Sequence, residues 1–93
     1  MYLSSKIHDK NDSYTRMLII KDYTGFSYAY MSYRSYLRCW IIERRDIEHL
    51  LPANLLPYRF ATYTECLNQL LSIMVYMNQN KEKFYESTKR FSY

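Results

Sequence analysis

Four side chains of this 93-residue chain are of the types that bind soft metals or supply a thiolate or imidazole: Cys39, Cys66, His8 and His49. A zinc site needs four such ligands, or three and a water, usually with one pair only a few residues apart. Here Cys39 and His49 are the nearest two, and both cysteines sit in apolar runs, Leu37–Ile42 and Cys66–Met77. They read as buried free thiols. Asp9, Asn11 and Ser13 have the alternate spacing of the first oxygen ligands in a calcium loop, but Tyr14 stands where that loop needs Gly and Ile20 where it needs a bidentate Glu. A serine nucleophile elbow requires flanking glycines, and a phosphate-cradling loop requires several; Gly25 is the sole glycine. A Cys–His pair has no supporting pattern. The expectation is a protein that is not an enzyme, with no catalytic residue, no cofactor and no metal.

Binding chemistry is better represented. Asp22 followed by Glu43-Arg44-Arg45 resembles the acidic constellation of restriction-type nucleases without its lysine, and Glu43–Asp46 reads more simply as a solvated charged turn. Gly25-Phe26-Ser27-Tyr28-Ala29-Tyr30 resembles the strand signature of the RNA-recognition motif. Gly25, Phe26 and Tyr28 match it; Thr24, Ser27 and Met31 depart from it, and the chain before Gly25 is too short for the strand–helix–strand unit that precedes the signature in that family. The physics behind it applies to any sheet, because aromatic rings on a face can stack bases. They can equally form a protein contact, since Tyr, Trp and Arg are the residue types enriched at interface hot spots. Tyr28, Tyr30, Arg34, Tyr36, Arg38 and Trp40 are the contact residues expected under either reading.

The elements that must carry these side chains follow from periodicity. Met17–Ile20 is a branched apolar run that reads as a strand, and Asp22–Gly25 as a turn. Phe26–Tyr33 alternates, with Phe26, Tyr28 and Tyr30 on one face; Arg34-Ser35 then turns the chain into a third strand, Tyr36–Ile42. In that strand Leu37, Cys39 and Ile41 are the expected core face, and Tyr36, Arg38 and Trp40 the face nearer solvent. Thr62-Tyr63-Thr64-Glu65 fits a capping box, and Leu67, Leu70, Leu71, Met74 and Met77 recur at helical spacing behind it. The predicted fold is α+β: a three- to four-stranded antiparallel meander packed against one long C-terminal helix. One domain, 1–93, comprises a loosely ordered leader (1–14), the meander (15–42), an irregular stretch with a short helix over Asp46–Leu51 and a possible edge strand near 57–61 (43–61), and the helix (62–91), kinked near 78–80. The apolar arc of residues 62–77 is wide enough for a homodimer contact.

Net charge is +4, spread along the chain, with Lys81, Lys83, Lys89 and Arg90 making the C-terminus modestly basic. That balance excludes an acidic mimic of nucleic-acid phosphates. Met1–Lys6 lacks a signal-peptide core, and no run approaches the ~18 apolar residues of a membrane span, so a cytoplasmic protein is expected, with no membrane partner. Twelve Tyr beside a single Val, together with abundant Ile, Lys, Asn and Met, suggest an AT-rich coding source. The reading that results is a small protein-binding module, encoded by a phage or plasmid, that inhibits a larger host protein by surface occlusion, as anti-CRISPR and other anti-defence proteins do. The alternative is a single-stranded RNA- or DNA-binding protein using the same rings, with Arg34, Arg38 and the basic C-terminus on phosphates.

Overall fold

Branched and aromatic residues with period-two alternation build five antiparallel strands in the structure, a computed structural model that describes residues 1–10 and 13–84, and only the backbone of 7–10 and 13–16. The strands are β1 (Tyr2–Lys10), β2 (Ser13–Lys21), β3 (Ser27–Arg34), β4 (Cys39–Arg44) and β5 (Arg59–Phe60), in the spatial order β1-β2-β3-β4-β5. One helix, α1 (Tyr63–Gln79), packs across the sheet. The expected α+β meander under a helix is therefore the fold, with five strands rather than three or four.

The first difference lies at the N-terminus. Residues expected to be a loose leader form β1, which pairs with β2 from Tyr2↔Lys21 to Lys10↔Ser13. Polar residues obscured it: a strand whose main chain is satisfied by its neighbour needs little apolar alternation, and among the side chains described at this end Met1 and Leu3 are packed against the core. Pairing of β2 with β3 covers only Leu18↔Met31 to Lys21↔Ser27, so the β1–β2 ribbon runs on past the third strand.

The β2–β3 turn is organised by Asp22. Its carboxylate accepts from the Thr24 and Phe26 amides at 2.9 and 3.2 Å, from the Thr24 hydroxyl, and from the Tyr28 hydroxyl at 2.9 Å. Gly25 closes the turn at φ +89°, where an L side chain would be strained although nothing lies within 4 Å of its missing Cβ. Just beyond, Ile20 pairs with Ala29 but Lys21 with Ser27, so Tyr28 is the extra residue of a bulge. The bulge turns Tyr28 inward beside Ala29, and both are buried to 1%.

Between β3 and β4 the loop is Ser35–Arg38, four residues long, with Leu37 N–H donating to Arg34 C=O, Arg38 N–H to Ser35 C=O, and Arg38 in the left-handed region at φ 51°. The strand expected from Tyr36 thus begins at Cys39, and Tyr36, Leu37 and Arg38 belong to the turn. Its register, Met31↔Ile42 and Tyr33↔Trp40, places Trp40 and Ile42 on the same sheet face as Met31 and Leu18, which α1 covers. Leu37, Cys39 and Ile41 are therefore not the core face, which is a correction: the loop length decides strand parity, and it put the even-numbered residues inward.

After β4 the short helix expected over Asp46–Leu51 is a 3₁₀ turn at Glu48–Leu50, followed by a second at Ala53–Leu55; Ile47, Leu51 and Leu55 plug the core from below. Arg44 holds this segment, donating to the carbonyls of Leu55 and Leu56 at 3.3 and 2.9 Å and lying 5.9 Å from the Tyr58 ring centroid. Helix α1 starts at the expected cap: the Thr62 hydroxyl accepts from Glu65 N–H at 3.2 Å and donates to the Glu65 carboxylate at 2.8 Å. Its buried stripe is Cys66, Leu70, Ile73 and Met77, spaced i, i+4, i+7, i+11. The helix stops at Gln79, and Asn80 caps it with its N–H on Met77 C=O. Residues 81–84 are helical again and carry Phe84 into the core. The rest of the expected helix, 85–91, lies outside the described residues. Asn78 receives the Met1 amino group on its Oδ1 at 2.6 Å, tying the start of β1 to the end of α1.

Candidate functional site

The registers that place Trp40 under the helix also align an aromatic row across three strands. Tyr33 of β3 faces Trp40 of β4, and Trp40 faces Phe60 of β5. Tyr63, in the first turn of α1, completes it. Tyr33 and Tyr63 meet Trp40 edge-to-face, with centroids 5.4 and 5.0 Å apart and planes at 63° and 74°. Such pairs add about 0.5–1.5 kcal/mol each beyond buried area, so the row is rigid. Beside it stands the β3–β4 tip, where Tyr36 is 79% exposed and Leu37 and Arg38 are also exposed. Tyr33 and Tyr63 keep 39% and 36% of their surface in water. One end of the molecule therefore presents fixed rings flanked by a projecting Tyr-Leu-Arg tip, with Arg59 exposed on β5.

A second cluster lies on the sheet face away from α1. The Tyr30 hydroxyl and the Arg34 guanidinium both donate to the Glu43 carboxylate. That bond to Glu43, together with burial and the adjacent negative charge, raises the Tyr30 phenol above its ordinary value of 10.0, against a smaller opposing effect of Arg34. Around these lie Ile19, which is buried yet stands apart from the main core, and half-buried Cys39 and Ile41. Ser32, also buried here, has an Oγ without a hydrogen-bond partner.

The six residues predicted for contact thus divide over three places. Tyr36, Arg38 and Trp40 are brought to the aromatic end. Tyr30 and Arg34 lie on the opposite sheet face, paired with Glu43. Tyr28 is in the core, its hydroxyl on Asp22. Sequence reasoning missed Tyr33, Phe60 and Tyr63 as members of the aromatic end. Counting a four-residue loop back from Cys39 would have found Tyr33 opposite Trp40; nothing in the sequence pairs Trp40 with Phe60. Of the basic C-terminus, Lys81 and Lys83 are exposed, while Lys89 and Arg90 lie outside the described residues.

Among the described residues no group of three or more His, Cys, Asp or Glu side chains is placed to hold a metal ion. Burial, and secondarily the Cys39 thiol, push the Cys66 pKa up to about 11, which keeps that thiol protonated and a poor nucleophile near neutrality. No helix among the described residues is long and apolar enough to cross a membrane. Compared with protein-family models, with characterised proteins and with solved structures, the chain matches none.

Proposed function

We propose that the protein is a non-enzymatic binding module that contacts a larger protein through its aromatic end, with Tyr33, Tyr36, Leu37, Arg38, Trp40 and Tyr63 as the contact set. The observation that carries this reading is the state of the rings. Trp40 has Tyr33 and Tyr63 edge-on against it, so it offers a fixed, corrugated surface rather than the open planar faces that base stacking requires. A rigid aromatic patch with exposed Tyr and Arg at its rim is the chemistry of a protein hot spot, where little conformational freedom is lost on binding. Within this reading the form we carry forward is an inhibitor, of the phage- or plasmid-encoded anti-defence kind, that covers a functional surface of its target; the support for that finer step is composition and charge alone.

The test compares wild type with a Tyr36→Ala/Arg38→Ala variant, both substitutions being in an exposed turn that leaves the core intact. In pull-downs from a bacterial lysate at low and high salt, a partner should be retained by wild type at both and lost at least tenfold by the variant. Equal retention by the two proteins would overturn the assignment of the surface. Binding of random single-stranded RNA or DNA that collapses as salt rises would instead identify a phosphate-driven contact.

A further inference from the structure

The sheet face that α1 leaves open has a charge pattern of its own. Helix α1, the two 3₁₀ turns and Phe84 all join the main core, so among the described residues no helix lies over this second face. Strand register assigns its members. Lys6 is opposite Met17, Ile19 opposite Tyr30, Tyr30 opposite Glu43, and Ser32 opposite Ile41, which in turn faces Arg59. Ile19 and Ser32 at the centre are already buried, and Met17, Cys39 and Ile41 around them are half-buried. The cations stand at the rim of that floor: Lys6 on β1, Lys21 at the end of β2, and Arg59 on β5. Among the described residues Glu43 is the one carboxylate on this face, and Tyr30 and Arg34 already hold it. Lys6, Lys21 and Arg59 have no ion-pair partner.

We propose that this open face docks an amphipathic helix of a partner protein, apolar along one stripe and carrying Asp or Glu on both flanks. Charge complementarity selects that occupant. Three unpaired cations bracket an apolar floor, so the best-matched partner brings apolar side chains to the centre and carboxylates to both rims. A helix fits where a strand does not, because strands add at sheet edges while a sheet face is covered by a helix or a second sheet. The dimensions agree. Lys6 and Arg59 lie four strand spacings apart, ~19 Å, and a helix with its side chains is ~10–12 Å wide. About 4 Å remains on each flank, within reach of a Lys or Arg side chain. A second copy meeting this face with its own would set cation against cation. A nucleic-acid strand matches it poorly, since bases need free rings to stack on, whereas here the centre is aliphatic and the Tyr30 hydroxyl is tied to Glu43. The face is also separate from the aromatic end, where Trp40 lies on the α1 side of the sheet.

Fluorescence anisotropy with the whole chain and labelled helical peptides of about 18 residues, five turns, tests this. The probe carries Leu along one stripe and Glu on both flanks; a control peptide carries Lys on the flanks instead. The Glu-flanked peptide should bind with a dissociation constant below about 100 µM, and the Lys-flanked one roughly tenfold more weakly or worse. Lys6→Glu/Arg59→Glu, two substitutions at exposed sites, should invert that preference while leaving the circular dichroism unchanged. If the double variant loses its helical signal, Lys6→Glu alone carries the comparison and should narrow the preference. Tyr36→Ala/Arg38→Ala should bind the Glu-flanked peptide as wild type does, so failure of this proposal and failure of the aromatic-end assignment are read separately. No binding of the Glu-flanked peptide at about 1 mM protein overturns the proposal. So does equal binding of the two peptides, a preference unchanged by the substitutions, or a single-stranded DNA that displaces the peptide from wild type.

Discussion

Asp22 shows how much of a fold one carboxylate can organise. Burial by itself would raise its pKa, but hydrogen bonds from the Thr24 hydroxyl, the Tyr28 hydroxyl and the amides of Thr24 and Phe26 outweigh that effect and hold it below its ordinary 3.8. A carboxyl depressed in the folded state adds stability that is present above the unfolded pKa and lost as pH falls through the folded one. Acid should therefore destabilise the protein below about pH 4. Asp22→Asn should cost about 1–3 kcal/mol at pH 7, the range for a broken buried hydrogen-bond set, and flatten that acid limb. Urea melts at pH 7 and pH 3 check both; an unchanged acid limb in the variant would mean another carboxylate controls it. The turn was legible from Asp22 and Gly25, but the role of Tyr28 was not. Alternation alone places Tyr28 with Tyr30, and only the bulge separates them, sending one ring to the core and the other to Glu43.

At the scale of elements, legibility followed the distance between the residues that decide. The α1 cap was readable because Thr62 and Glu65 lie three positions apart and satisfy each other locally. Thr62→Ala should cost about 1 kcal/mol, measured as a shift in urea midpoint, while Thr62→Ser should stay near wild type; indistinguishable midpoints for all three proteins would show that the cap contributes nothing. The buried stripe was largely readable: Leu70 and Met77 were expected in it and Cys66 was expected to be a buried thiol, whereas Ile73 takes the remaining inward position and Leu71 turns toward Pro52 and Leu55. Strand β4 was misread for a physical reason. Whether Cys39 or Trp40 faces inward depends on how many residues the preceding loop contains, and Arg38 can close a four-residue loop because it accepts φ 51°. A polar strand such as β1 has no pattern of its own and exists because β2 supplies its hydrogen bonds.

At the scale of the molecule, α1 covers one face of the five-stranded sheet, so the two cysteines have different fates. Cys66 is shut between sheet and helix, with its thiol held at about 11, and Cys39 is half-exposed on the other side. In native buffer a thiol reagent should label Cys39 alone, and Cys66 only at the rate at which the layers separate, so that Cys66 labelling accelerates with urea in step with loss of the fold. Equal native labelling of both would contradict the two-layer arrangement. By itself the sequence determined the class of fold, the helix and its start, and the Asp22–Gly25 turn, because each rests on residue types or on neighbours within a few positions. Tertiary structure alone decided which rings meet. Tyr33, Trp40, Phe60 and Tyr63 become one surface through strand register, and register depends on loop lengths, a bulge and the helix lying above, none of which a local pattern records.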